Sequence, residues 1–178
     1  MILRRCDPGL NDPGSLALRT HWDTLASLVA PLGAPAWIVN LVPVDDARME
    51  ALNGDFRRKP GVTDVLSFSY LLDTGPDAPD LPAKTAGARG DLWVEPGPPD
   101  ATVEEAVGEL ILAPAFVSAR CAENGWDLRE ELGLLVVHGC LHILGWDHET
   151  DSERTAMQAV ELDILGGAAM GHPLLKRS

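Results

Sequence analysis

Residues 127–144 constrain this chain more than any other stretch. Asp127 stands at an N-cap position with Glu130 three residues on, the pattern of a capping box. Leu132, Leu134, Leu135, Val136, Val137, Leu141 and Ile143 then cover nearly every face of the predicted helix. A helix that is apolar all round has to be enclosed, so it must be central, with the rest of the chain built around it. Two histidines ride on it, His138 and His142, and burying imidazoles without partners is costly. Four residues apart, they stack on one face about one turn from each other. Gly145 follows where a helix can end in a left-handed residue that needs no Cβ, and the chain can then turn His148 back toward the same face. Three neutral imidazoles converging on one point, with a fourth position open, have the ligand count of a catalytic zinc site. Cys140 lies about 200° around the helix from His138 and reads as packing.

The spacing also matches the metzincin protease pattern H-E-x-x-H-x-x-G-x-x-H, except that Gly139 stands where a protease carries its Glu. Without that carboxylate a peptidase lacks its proton acceptor, which makes a metzincin-like peptidase the weakest reading. Glu131 shares the histidine face but lies two turns away, about 10 Å along the axis. It suits a substrate contact or support behind the site. Asp147 adjoins His148, and two roles weigh equally for it: orienting a ligand imidazole through Nδ1–H, or serving as an ordinary turn carboxylate. Trp146 is expected to pack under the site.

The remaining elements follow from periodicity and breakers. Ile2–Arg5 reads as a short strand. Residues 14–31 read as one helix, with Leu16, Leu18, Trp22, Leu25, Leu28 and Val29 inward and Pro31 and Gly33 ending it. Residues 36–43 read as a strand, and Asp45 caps a helix over about 46–54. Pro60-Gly61 marks a turn before a strand at 65–70, with Val65 and the serines on one face and Leu66, Phe68 and Tyr70 on the other. Residues 108–113 read as a strand. Pro114 opens a helix at N1, and Gly125 ends it with Cys121 in the core. Thr150–Glu153 is a second capping box, starting a last helix to about 165 that Gly166-Gly167 ends, with Met157, Val160, Ile164 and Leu165 inward.

Composition matters mainly through charge. A net charge of −13 argues against a general nucleic-acid binder, because phosphate contacts need Lys and Arg. The acidity is partly local. Residues 71–107 hold eight acids against Lys84 and Arg89, together with six of the fourteen prolines, and read as a Pro/Gly-rich acidic insertion with at most a brief strand at 90–94. Arg57-Arg58-Lys59 is the one basic triplet, either a phosphate clamp or an ordinary solvated run. The chain of 178 residues fits one domain with a sizeable core. Three scattered cysteines make no disulfide framework, and the first residues carry no apolar signal segment, so a cytoplasmic location is the expectation. No apolar run reaches the roughly 18 residues that span a membrane.

The stretch His138-Gly139-Cys140-Leu141-His142-Ile143-Leu144-Gly145-Trp146-Asp147-His148 resembles the H-G-x-L-H-L-x-G-Y-D-H signature of the YbeY-type endoribonucleases, the bacterial rRNA maturation factors. Trp146 replaces the usual Tyr. Leu52-Asn53 through Phe56-Arg57, then Thr63-Asp64-Val65-Leu66-Ser67-Phe68, resembles the family's L-N-x-x-Y-R…P-T-D-V-L-S-F motif, with Val62 where Pro is usual. Gly108-Glu109-Leu110-Ile111-Leu112 resembles its G-D-I-x-I strand. The resemblance spans roughly 35–70 and 108–165 and leaves 71–107 as extra. It implies an α+β fold, a small mixed β-sheet flanked by helices with the histidine helix central. It implies one zinc ion on His138, His142 and His148, and a functional arginine at Arg57; in a hydrolase reading, Arg58 and Lys59 beside it would hold the flanking RNA backbone. The implied activity is a metal-dependent, single-strand-selective endoribonuclease acting in 16S rRNA 3′-end maturation and ribosome quality control. Its implied partners are rRNA, single-stranded RNA, and the small ribosomal subunit with its proteins, with no membrane. A ribosome-assembly factor with a mainly structural zinc is the alternative.

Overall fold

The computed structural model describes residues 1–6, 9–33, 37–71, 106–171 and 173. Among these residues four strands form one mixed sheet: β1 (Ile2–Arg5), β2 (Ile38–Pro43), β3 (Val65–Ser69) and β4 (Ala106–Leu112). Their order is β1-β2-β4-β3. β1, β2 and β4 run parallel, and β3 is an antiparallel edge strand. Among the described residues six helices accompany it: α1 (Pro13–Thr20), α2 (Trp22–Val29), α3 (Asp46–Arg57), α4 (Pro114–Asn124), α5 (Leu128–Ile143) and α6 (Asp151–Gly167). Among the described residues, no helix is long and apolar enough to cross a membrane.

The histidine helix α5 is central, as its apolar circumference requires. Leu132, Val137, Cys140 and Ile143 are all fully buried. Its partners are the strand side chains Val39, Leu41, Leu110 and Leu112, helix α2, and the inner stripe of α6. Each fully buried Leu or Ile stabilises by roughly 1.5–3 kcal/mol, whereas an N-cap contributes about 1 kcal/mol. Packing therefore fixes where α5 lies, and the caps only trim its ends. Strand pleating puts alternate residues of β3 on opposite faces. Leu66 and Phe68 join a second cluster with Met49 and Leu52 of α3, while Ser67 and Ser69 meet α5. The edge strand is thus held between α3 on one face and α5 on the other.

Several sequence expectations need correction. The single helix over 14–31 is two helices, broken at His21, whose φ of −100° and ψ of 10° leave the helical region. The break turns the apolar stripe, so that Leu18, Leu25, Leu28 and Val29 are buried while Leu16 is 58% exposed. Helix α3 runs on past residue 54 to Arg57. At Asp127 only half the capping box forms: the carboxylate accepts from Glu130 N, but the Glu130 carboxylate accepts from Gly171 N. The box at Thr150 and Glu153 is complete. Helix α6 includes Gly166 and Gly167 and is capped by Ala168. The expected insertion lies almost wholly outside the described residues, including the brief strand at 90–94; its last two positions, Ala106 and Val107, begin β4.

Candidate metal centre

The site begins with how α5 ends. Gly145 takes a φ of 86°, a left-handed conformation open to glycine at no steric cost. Its N–H donates to His142 O, and Trp146 N–H donates to Leu141 O. This is a Schellman closure. Leu144 N–H reaches Cys140 O, and the Ser69 hydroxyl donates to Ile143 O at 2.7 Å. All four terminal carbonyls of the helix are therefore satisfied, one of them by β3. The tight turn brings His148 back beside His138 and His142. Ring centroids lie 4.6 Å (138–142), 5.3 Å (138–148) and 5.0 Å (142–148) apart. One nitrogen from each ring falls within 4.8 Å of the others, so the three could hold a metal ion.

Hydrogen bonds set which nitrogen faces inward. The His142 Nδ1–H donates to Trp146 O at 2.9 Å. The His138 Nδ1–H donates to Glu161 Oε1 at 2.8 Å, and Glu161 is only 2% exposed. A carbonyl or carboxylate oxygen can only accept here, so in neutral rings both Nε2 atoms carry lone pairs. Those atoms stand 3.1 Å apart. Two acceptors facing each other at that range repel unless a cation or a proton lies between them. Tetrahedral zinc at 2.0–2.1 Å from each nitrogen would separate its ligands by about 3.4 Å. The donor set and spacing fit such an ion.

Burial pushes the His142 pKa down to about 4, helped by the electrostatic influence of the neighbouring His138 and His148 and opposed by Asp147 and the Trp146 carbonyl. The ring is neutral at pH 7, the form a metal needs. This has a consequence for the metal-free protein. The unfolded chain takes up a proton at His142 near pH 6.5, while the folded protein refuses it until about pH 4. Between those values the unfolded state binds more protons, so stability falls as the pH falls, by an amount on the order of 2 kcal/mol. Urea unfolding of metal-free protein at about pH 7 and about pH 4.5 should show the lower midpoint at the lower pH. Unchanged midpoints would contradict the burial of this ring.

Gly139 has a packing reason. A Cβ there would meet Leu110 Cδ2 at 2.4 Å and Ser67 Oγ at 3.0 Å. Side chains of β3 and β4 pack against this turn of α5, so any side chain at 139 would have to displace the end of Leu110. Cys140 is buried, and burial pushes its thiol up to about 12, in keeping with packing.

The other candidate residues fall at varied distances from the cluster. Asp147 accepts from the backbone N–H of His148 at 2.7 Å, so its carboxylate shapes the turn. Trp146 packs against the core and supplies the carbonyl that orients His142. Glu131 is buried, 4% exposed, in the first turn of α5, and it is Glu161 of α6 that holds His138. Sequence reasoning missed Glu161, although a signal was present: Met157, Glu161 and Leu165 recur four apart, placing a carboxylate in the middle of an apolar stripe.

Arg57, Arg58 and Lys59 are exposed at the end of α3, and Arg58 adopts a left-handed φ of 55°. No hydrogen bond or ion pair links them to the histidines. Their loop is nevertheless fixed at both ends. The buried Asn53 side chain donates to Gly61 O at 2.9 Å, and its backbone carbonyl accepts from Arg58 N and Lys59 N. At the far end Asp64 accepts from Val65 N and pairs with Arg120 at 2.9 Å, whose guanidinium sits over the Phe116 and Trp126 rings.

Fold and site together define an α+β protein whose central helix presents a three-histidine, metal-type cluster. The family model described as Endoribonuclease YbeY matches residues 23–168. The chain belongs to that family. Its relatives include Endoribonuclease YbeY of Dinoroseobacter shibae, 38% identical over 165 residues, covering 91% of this chain and 82% of the relative. The Ruegeria pomeroyi protein of the same name is 36% identical, covering 76% and 74%. The Synechococcus protein is 31% identical, covering 81% and 76%. The solution structure of TM1509 from Thermotoga maritima shares the fold with a TM-score of 0.50 at 22% identity, covering 97% of this chain and 98% of that one.

Proposed function

We propose that this chain is a zinc-dependent, single-strand-selective endoribonuclease acting in 16S rRNA 3′-end maturation and ribosome quality control. The proposal places it in the cytoplasm, with the small ribosomal subunit and its proteins as partners. The observation that carries it is the pair of Nε2 lone pairs converging 3.1 Å apart beside His148, in a chain of the endoribonuclease family. His138, His142 and His148 are the proposed ligands. Zinc, when bound, supplies a Lewis acid for a phosphoryl oxygen and lowers the pKa of a water. The chain's own groups do the rest. Glu161 and the Trp146 carbonyl hold two rings with Nε2 inward. Arg57 neutralises charge on the scissile phosphate with its forked donor, and Arg58 and Lys59 bind flanking backbone. The clamps at Asn53 and Asp64 reduce the entropy lost when that loop engages RNA. A peptidase is disfavoured because Gly139 stands where its general-base glutamate would be.

The net charge of −13 supports a second reading, an assembly factor that meets basic ribosomal proteins and uses its zinc structurally. Cleavage of a single-stranded RNA by the parent and by Arg57→Ala separates the two. Loss of a charge-assisted contact to the reacting phosphate should lower kcat/KM by roughly 30–100-fold. Equal cleavage by both proteins would point to a contaminating nuclease and favour the assembly factor.

A further inference from the structure

The hydrogen-bond parity of β3 exposes a second feature of this region. Tyr70 N–H donates to Val107 O at 2.9 Å, and Ala113 N–H donates to Asp64 O at 3.0 Å. Residues 64 and 70 therefore turn their backbone polar groups toward β4. In an antiparallel pair that role alternates, so Leu66 and Phe68 do the same, while Val65, Ser67 and Ser69 turn theirs away from the sheet. β3 is the edge, and among the described residues no strand pairs with its outer side. The Val65 N–H is taken by the Asp64 carboxylate at 3.0 Å. The amides of Ser67 and Ser69 remain, about 7 Å apart along the strand, with their carbonyls facing the same way. Their side chains are committed elsewhere: the Ser69 hydroxyl holds Ile143 O, and Ser67 Oγ lies against Gly139.

Natural sheet edges are usually blunted by Lys, Pro or a bulge. Val65-Leu66-Ser67-Phe68-Ser69 carries no charge and no proline, and its pairing with β4 is unbroken. The basic run Arg57-Arg58-Lys59 lies a few residues before it in the clamped loop. Helix α5, which carries the histidines, packs against the strand at Gly139 and Ile143. Among the described residues this edge is unpaired, and its strand follows the basic loop in the chain and packs against the histidine helix.

We infer that this outer edge is a rail for the substrate: a single-stranded RNA lies along β3, its phosphates accepting from the Ser67 and Ser69 amides. The inference rests on the endoribonuclease reading. Charge complementarity favours RNA as the occupant, because the three exposed cations in the loop before the strand suit a polyanion. The outward carbonyls suit RNA as well, since a ribose 2′-hydroxyl can donate to them and deoxyribose cannot.

Amide hydrogen exchange on the metal-loaded full-length protein tests this, with a phosphorothioate-linked single-stranded RNA as the slowly cleaved probe and its binding followed separately by anisotropy. In the free protein, Leu66 and Phe68 should exchange slowly and Ser67 and Ser69 quickly. At an RNA concentration about ten times Kd, exchange at Ser67 and Ser69 should slow about tenfold. Ser67→Pro deletes one outward donor without touching the ladder, since an edge position can accept proline, and should weaken RNA binding about tenfold. Protection of both amides before RNA is added would overturn the rail. So would RNA binding that leaves them fast, which spares the nuclease reading. Failure of the RNA to bind at all overturns both. Slowing of the same amides by an extended peptide and not by RNA overturns the rail in favour of strand addition.

Discussion

His142→Ala should lose tight metal binding, and RNA cleavage with it. The ring supplies one of two Nε2 atoms set 3.1 Å apart, and its Nδ1–H bond to Trp146 O aims that atom. Removing it leaves two ligands where an open catalytic site needs three. The affinity loss should exceed the 10–100-fold typical of changes behind a metal's ligands. Chelator competition with zinc measures this directly, and single-turnover cleavage of single-stranded RNA should fall in parallel. Excess zinc should not restore the rate, because the site geometry is gone. The fold should survive: the metal-free variant should also lose the acid-induced drop in stability described for the parent, since it no longer buries an imidazole that resists protonation down to about pH 4. Full cleavage by His142→Ala in zinc-free buffer would sink the metal-dependent mechanism.

That the histidines could be read in advance follows from their locality. The i, i+4 spacing of His138 and His142, the helix-ending Gly145 and the return to His148 all lie within eleven residues, where helix geometry alone fixes positions. The central place of α5 was legible for a related reason, since an all-apolar circumference has one solution. What failed depended on contacts between distant segments. Nothing in residues 14–29 breaks a helix in its interior, and the turn at His21 exists so that two short stripes can both reach the core. Strand order was equally out of reach, because β3 precedes β4 in the chain yet lies outside it in the sheet. The missing carboxylate at Gly139 is legible in the sequence, but its packing is not, because Leu110 and Ser67 come from two strands distant in the chain. Asp147 shows the limit of adjacency. Its neighbour is His148, but the short reach favours the backbone N–H over the ring.

Glu161 gives the second large effect. Its carboxylate is 2% exposed and takes the His138 Nδ1–H at 2.8 Å, so it fixes the tautomer that leaves Nε2 free for a metal. Glu161→Ala should lower zinc affinity by about 10–100-fold. Glu161→Gln keeps an oxygen that can accept the same proton, and should retain much more of the affinity while losing the negative charge that makes the ring a better donor to the metal. The decisive comparison is at saturating zinc. A residue that only holds His138 in place should let Glu161→Ala recover most of its cleavage rate once the ion is forced on, in contrast to His142→Ala. Isothermal titration with zinc and cleavage measured across zinc concentrations separate these outcomes. An unchanged affinity in Glu161→Ala would mean that His138 is oriented by packing alone. Helix α6 would then have no part in the site beyond covering α5.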